Sequence, residues 1–482
     1  MNQSLQRTIR LARSAMILAV SAVAPLAIAT GVSAPEPYPG EAAFRELYEE
    51  LVETNTTLSA GSCTAAAEKM AARLQQAGMP ASSMQILAPA EFPRSGSLIA
   101  SFPGKDAKLE PIMLLAHIDV VEARREDWVR DPFTLIEEDG FFYARGSSDD
   151  KAMASIFTDL LVRWSEQRYR PKRGVTLALT CGEETSDHFN GVHWLLQTHP
   201  ALMKAKFVLN EGAGGLLDAN GKHLSLDVQA GEKVYQDFKL EVTHPGGHSS
   251  RPTRENPINR MAAALARLAA YQFPVSLNDT TRAYFLAQAE MAPPEIAADM
   301  RAIVADPSND AAAQRLWTAN PSWNGMLRTT CVATQFDGGH APNALPQRAK
   351  VNVNCRILPG VPMEQVRADL IRVVADDSIS VKFGDEMGLP APAPPLTAEM
   401  MDPIRAIAKT LWPEARVVPT MSTGATDGRF LNAAGTPTYG VSGVFADAAG
   451  SGAHGLNERI RVRSLLDARR FLHELVTSYT RR

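Results

Sequence analysis

Ile112-Met113-Leu114-Leu115-Ala116-His117-Ile118-Asp119 is an apolar run that ends in a histidine and an aspartate two positions apart. Five successive apolar residues read as a short strand buried on both faces, as in a parallel sheet covered by helices. Ligands of such sheets collect where strands end in loops, so His117 and Asp119 fall where chemistry is expected. Four further motifs follow in order: Ser148-Asp149-Asp150-Lys151, Gly182-Glu183-Glu184, Asn210-Glu211-Gly212 and Gly452-Ala453-His454. Each is weak alone. Together they offer the imidazole and carboxylate donors that suit zinc, manganese or cobalt, in an order that would assemble a two-metal hydrolytic site.

Outward from that run the first half alternates strand-like and helical patterns. Residues 175–180 and 207–210 read as short buried strands, and 41–54, 65–77 and 151–167 carry helical spacing. The alternation predicts an α/β fold with a mostly parallel central sheet flanked by helices. From about Gly231 the pattern changes to strand (233–243), helix (256–271), two hairpin strands (327–336 and 351–357), helix (363–375) and strand (379–383). That order is a split βαβ, ferredoxin-like module. It reads as an inserted α+β lid or dimerisation domain, 231–388, with an extra helix-rich segment, 276–323, punctuated by Pro293, Pro294 and Pro321. A Pro-rich linker at 388–395 leads back to helix and strand signals. The catalytic domain is therefore expected to be discontinuous, 35–230 with 389–482, and His454 returns to a site begun at His117.

A chain of 482 residues exceeds what one core usually organises, which agrees with two domains. A net charge of −4 with scattered Lys and Arg gives no footprint for nucleic acid or an anionic membrane. Arg7, Arg10 and Arg13 precede an apolar stretch at 15–28 that ends in small residues. This has the outline of a secretory signal cut after Ala29 or Ala34, implying a periplasmic or secreted protein; an uncleaved membrane anchor is the alternative. Four cysteines are too few for a disulfide scaffold. Cys331 and Cys355 could face each other across the hairpin, and unpaired buried thiols fit the sequence as well.

The order H-x-D, S-x-D-D-K, G-E-E, an acidic residue before Gly and a late A-H resembles the co-catalytic zinc metallopeptidases. That family includes glutamate carboxypeptidase, acetylornithine deacetylase, succinyl-diaminopimelate desuccinylase and the aminoacylases. Gly246-Gly247-His248-Ser249-Ser250-Arg251-Pro252 and the long insert most resemble its carboxypeptidase S and N-acyl amino acid synthase/hydrolase branch. The resemblance implies two zinc ions, with cobalt or manganese as substitutes, bridged by Asp149. His117 and Glu211 would complete one site, Glu184 and His454 the other. It further implies Glu183 as general base, Asp119 as the carboxylate orienting His117, and His248 as donor to the oxyanion, with His244 the alternative. Asn343 and Arg356 would grip the substrate, Arg356 at a terminal carboxylate, and Gly424 would line that subsite. The following Ala425 departs from the Gly-Gly of the family loop. A cis peptide often follows the bridging aspartate in this family.

The expected activity is hydrolysis of a small peptide at or near a free C-terminal carboxylate by metal-activated water, as carboxypeptidase or dipeptidase. N-acyl amino acid deacylation is the alternative, a single-metal peptidase a variant, and a catalytically silent binding protein the reading from another class. A homodimer through the inserted domain is compatible with all of them. Blander readings stand beside the chemical ones. His117 could be a core histidine, Asp149 a helix cap and Arg356 a solvated strand-end charge. For Asp150, capping or support of the ligands is the favoured reading. The apolar approach Leu177-Ala178-Leu179-Thr180-Cys181-Gly182 is unlike the surface helix on which paired glutamates usually sit.

Overall fold

The computed structural model describes residues 38–185 and 188–481. The expected signal segment, 1–34, lies outside them. All elements below belong to the unit Gly40–Arg482. Among the described residues no helix is long and apolar enough to cross a membrane.

A ten-stranded sheet carries the architecture. Its centre is Val175–Thr180, Ile112–His117, Val208–Asn210 and Thr438–Gly440, side by side and parallel. Every residue of Ile112–His117 and of Val175–Thr180 is buried, which explains why both read as unbroken runs. The sheet is mixed, however. Met84–Leu87 and Ser97–Phe102 join antiparallel on one side, and His223–Glu232 meets Thr438–Gly440 antiparallel on the other. Helices Glu41–Glu53, Cys63–Gln76, Lys151–Glu166 and Val462–Arg481 pack with this sheet and one another. Lys151–Glu166 has little exposed surface because both its neighbours and the sheet close on it.

The insert forms a separate antiparallel sheet in the order Thr330–Gly338, Arg348–Ile357, Val234–Thr243, Ser380–Phe383. This is the ferredoxin-like order expected for its βαββαβ sequence. Val234–Thr243 alternates between buried and more exposed positions. Its Phe238 and Leu240 meet Met261 and Leu268 of helix Pro257–Ala270 and Leu370 of helix Met363–Val374 in one core. The helix-rich segment resolves into Asp279–Gln288, Pro294–Ala305, Asp310–Ala319 and Pro321–Leu327. Pro294 and Pro321 occupy first helical positions, where the missing N–H costs nothing. These helices form their own core, which includes Met421 of central-sheet strand Arg416–Ser422 and Leu358, just past strand Arg348–Ile357 of the insert.

All four cysteines are in disulfides, which corrects the reading that left unpaired thiols open. Cys331 and Cys355 are direct cross-strand partners and are bonded. The second bridge, Cys63–Cys181, joins residues 118 apart and has no counterpart in the sequence reading.

Candidate metal centre

Three neighbouring parallel strands end at one edge of the sheet and deliver three motifs together. His117 closes Ile112–His117, Glu183 and Glu184 follow Val175–Thr180, and Glu211 follows Val208–Asn210. Asp149 enters from the loop before helix Lys151–Glu166, across a cis Asp149–Asp150 peptide as the resemblance implies. His454 comes from a late loop with a left-handed backbone (φ 60).

Asp149 stands between the two histidines. Its Oδ1 lies 3.1 Å from His117 Nε2 and its Oδ2 3.2 Å from His454 Nε2. Each histidine has a second carboxylate of its own, Glu211 at 3.7 Å from His117 and Glu184 at 2.9 Å from His454. The pairing is the one expected for a carboxylate shared by two metals. Asp150 does not cap its helix by a side-chain hydrogen bond. Its carboxyl instead belongs to a second group of donor atoms, with His117 and Glu211, all within 4.8 Å of one another.

Asp119 is positioned differently from expectation. His117 Nδ1 is 3.1 Å from the Asp119 backbone carbonyl, whereas the nearest carboxylate oxygen is 3.7 Å away. The carboxylate instead accepts the backbone N–H groups of Glu183 (3.4 Å) and Glu184 (3.1 Å). A carbonyl serves as well as a carboxylate in fixing the imidazole tautomer. The freed carboxylate ties the strand end bearing His117 to the turn bearing both glutamates.

Two supports were not singled out as such in the sequence. Glu458 is fully buried and accepts from Arg145 Nη1 and from the N–H groups of Gly146, Ser148 and Asp149 at 2.8–3.0 Å, clamping the loop that presents Asp149. Lys151 is equally buried and donates to the carbonyls of Val52, in the last turn of helix Glu41–Glu53, and of its C-cap Thr54. Burial pushes its ammonium down to about 7.

The electrostatics of the cluster follow from its burial and its crowding. Burial disfavours the Asp149 carboxylate, but hydrogen bonds from His117 and His454 outweigh it and hold the group well below the usual range. Burial pushes Glu183 up to about 10, with the charge of Glu211 adding, and Glu184 up to about 7. Burial and Glu211 likewise raise Asp150, whose Oδ2 is enclosed without a hydrogen-bond partner. These carboxyl groups, with that of Asp119 3.7 Å from His117, crowd the two imidazoles, and cations would relieve the repulsion. The donor set of nitrogen and oxygen atoms fits zinc, manganese or cobalt.

The cluster opens into a cleft of about 700 Å³ lined by Asp149, Asp150 and Glu211 together with Met153, Leu216, Met326 and Phe445. His248 and Asn343 do not line it. They lie together on the insert, in an exposed two-stranded ribbon where His248 pairs with Ala344 and Asn343 accepts from the Ser249 N–H. Arg356 stacks over Tyr235 (4.7 Å), and Tyr235 lines a second cleft of about 670 Å³. Gly424 sits between Thr423 in the first cleft and Ala425 in the second.

The chain is 29% identical over 389 residues to the N-fatty-acyl-amino acid synthase/hydrolase of Homo sapiens, covering 79% of this chain and 76% of that protein. It is 26% identical over 388 residues to "Probable carboxypeptidase S-like 2" of Dictyostelium discoideum, covering 79% and 74%. Among solved structures, an M20 family metallo-carboxypeptidase from Sulfolobus solfataricus superposes with a TM-score of 0.66 at 18% identity, over 91% of this chain and 99% of the other. Residues 113–478 match the pattern of peptidase family M20/M25/M40, and the chain belongs to that family of metal-dependent hydrolases.

Proposed function

We propose that this protein cleaves an amide bond of a small peptide at or near its free C-terminal carboxylate, using two metal ions, zinc by donor chemistry, held by His117, Glu211, Asp149, Glu184 and His454. The observation that carries the reading is Asp149, with one oxygen toward each histidine and a further carboxylate beside each. Two cations so held would lower the pKa of a shared water and polarise the scissile carbonyl. Glu183 would take the proton of the attacking water and pass it to the leaving nitrogen. Arg356 would hold the substrate carboxylate as a bidentate pair, with Gly424 lining the same subsite. His248 and Asn343 would approach from the insert to meet the oxyanion and the substrate.

The apolar side chains in the cleft beside Asp149 and Glu211 favour a second substrate class, N-acyl amino acids, and similarity to the human enzyme points the same way. Two disulfides support export to an oxidising compartment, the periplasm or outside. The exposed edge strand Thr330–Gly338, with Val332 and Phe336 uncovered, supports pairing between two inserts. The test is a panel of dipeptides, longer peptides and N-acyl amino acids offered to the metal-loaded protein. Glu183→Gln should retain metal and lose about two to four orders of magnitude in turnover. Failure of the metal-loaded parent on every member of the panel would leave a binding protein in its place.

A further inference from the structure

Cys181 sits between the last residue of strand Val175–Thr180 and the turn Gly182-Glu183-Glu184. Its partner, Cys63, opens helix Cys63–Gln76. Both are buried, and their sulfurs lie within 4.8 Å of an Asp119 carboxylate oxygen. That carboxylate is the acceptor for the Glu183 and Glu184 N–H groups. On its other side the turn is held by Asn190 Nδ2 donating to the Gly182 carbonyl (3.2 Å) and by the Gly191 N–H donating to the Cys181 carbonyl (2.8 Å). Gly182 itself is left-handed (φ 95), and a Cβ there would meet the Phe189 carbonyl oxygen at 2.3 Å. The turn is therefore tightly enclosed. Yet among the described residues no hydrogen bond joins it to helix Cys63–Gln76, and the disulfide supplies that link.

We propose that the Cys63–Cys181 disulfide is a positioning element of the active site: it fixes the turn carrying Glu183 and Glu184 against helix Cys63–Gln76, and opening it loosens the turn while the fold persists. This rests on the reading of Glu183 as base and Glu184 as ligand. Any disulfide also stabilises by restricting the unfolded chain, so lowered stability alone proves nothing. The molecule carries its own control. Cys331–Cys355 staples two adjacent strands of the insert and is bonded to no part of the turn.

The experiment compares Cys63→Ser/Cys181→Ser with Cys331→Ser/Cys355→Ser by three readouts: hydrogen exchange of the Glu183 and Glu184 amides in metal-free protein, metal retention against a chelator, and kcat with KM. Both variants should melt earlier. Only the first should speed exchange at the two amides and lose about 10- to 100-fold in metal affinity and kcat, as for other groups that support metal ligands, with KM little changed. Identical exchange and metal retention in the two variants would overturn the proposal, as would a first variant that matches the parent in both. If the serine variant does not fold, the native protein is treated with a water-soluble phosphine, which becomes its oxide with oxygen from water as each disulfide yields two thiols. Species are then sorted by which pair has opened, and the same readouts apply. Exchange and metal retention decide the matter even if no substrate of the panel is turned over, so the two readings fail separately.

Discussion

Glu458→Ala should cost the protein both stability and metal, and the structure gives the scale. The Glu458 carboxylate meets Arg145 Nη1 at 2.8 Å, with both side chains nearly inaccessible. Removing one member of such a buried pair leaves the other charge uncompensated, at a cost of about 3–5 kcal/mol. Arg145 keeps its bond to the Gly455 carbonyl and its stack over Trp128, which favours the lower end. Three N–H groups also lose their acceptor, and water entering the cavity would offset part of that loss. Glu458→Gln refines the argument, because each carboxylate oxygen serves two donors: Oε2 takes Arg145 and Gly146, Oε1 takes Ser148 and Asp149. One amide oxygen can satisfy one of those pairs, while the amide NH₂ confronts the other. The glutamine variant should thus fall between parent and alanine. Chemical denaturation of the metal-free and metal-loaded proteins is the assay. The variants should lose more stability in the loaded form, because a displaced Asp149 weakens binding and with it the stabilisation that a ligand of the folded state adds. Parent-like stability and metal retention in Glu458→Gln would refute the reasoning.

Asp149→Ala should release both metals together, since its two oxygens approach His117 at 3.1 Å and His454 at 3.2 Å; elemental analysis showing one metal retained would confine Asp149 to a single site. Arg356→Lys should weaken substrates with a free carboxylate by about 1.5–3 kcal/mol, a charge-assisted hydrogen bond, and leave amidated ones little changed. Specificity constants for both forms with both proteins check this, and equal losses would make Arg356 a support of the insert through its Tyr235 stack. Burial pushes the His473 imidazole down to about 4 from an ordinary 6.5, with Arg163 and Arg469 adding. Between those values the unfolded chain binds the proton and the folded chain does not, so stability falls as pH drops through the window. His473→Gln should flatten that part of the pH profile, measured by denaturation midpoints; an unchanged difference between parent and variant across the window would contradict it.

What the sequence shows and hides follows from how each residue acts. The strands bearing His117, Glu183 and Glu211 are legible because burial on both faces leaves apolar runs, and the donors are legible because their residue types advertise their chemistry. The supports carry no such mark. Glu458 lies in Asn457-Glu458-Arg459-Ile460-Arg461, which reads as a charged edge, and only a loop more than 300 positions earlier in the chain makes it a buried clamp. Cys63 and Cys181 are 118 residues apart with no hairpin between them to set their register, unlike Cys331 and Cys355. Asp119 and Asp150 are the instructive middle cases: the Asp119 carboxylate finds a partner other than the local one, and of the two roles read for Asp150, cap or support of the ligands, its placement fits the second. The imidazole of His117 is satisfied by the Asp119 carbonyl, which frees the carboxylate to hold the glutamate turn. Asp150 gives up the cap and turns toward His117 and Glu211 instead. The strand ends bring the ligands together, and these long-range supports set the distances at which they meet.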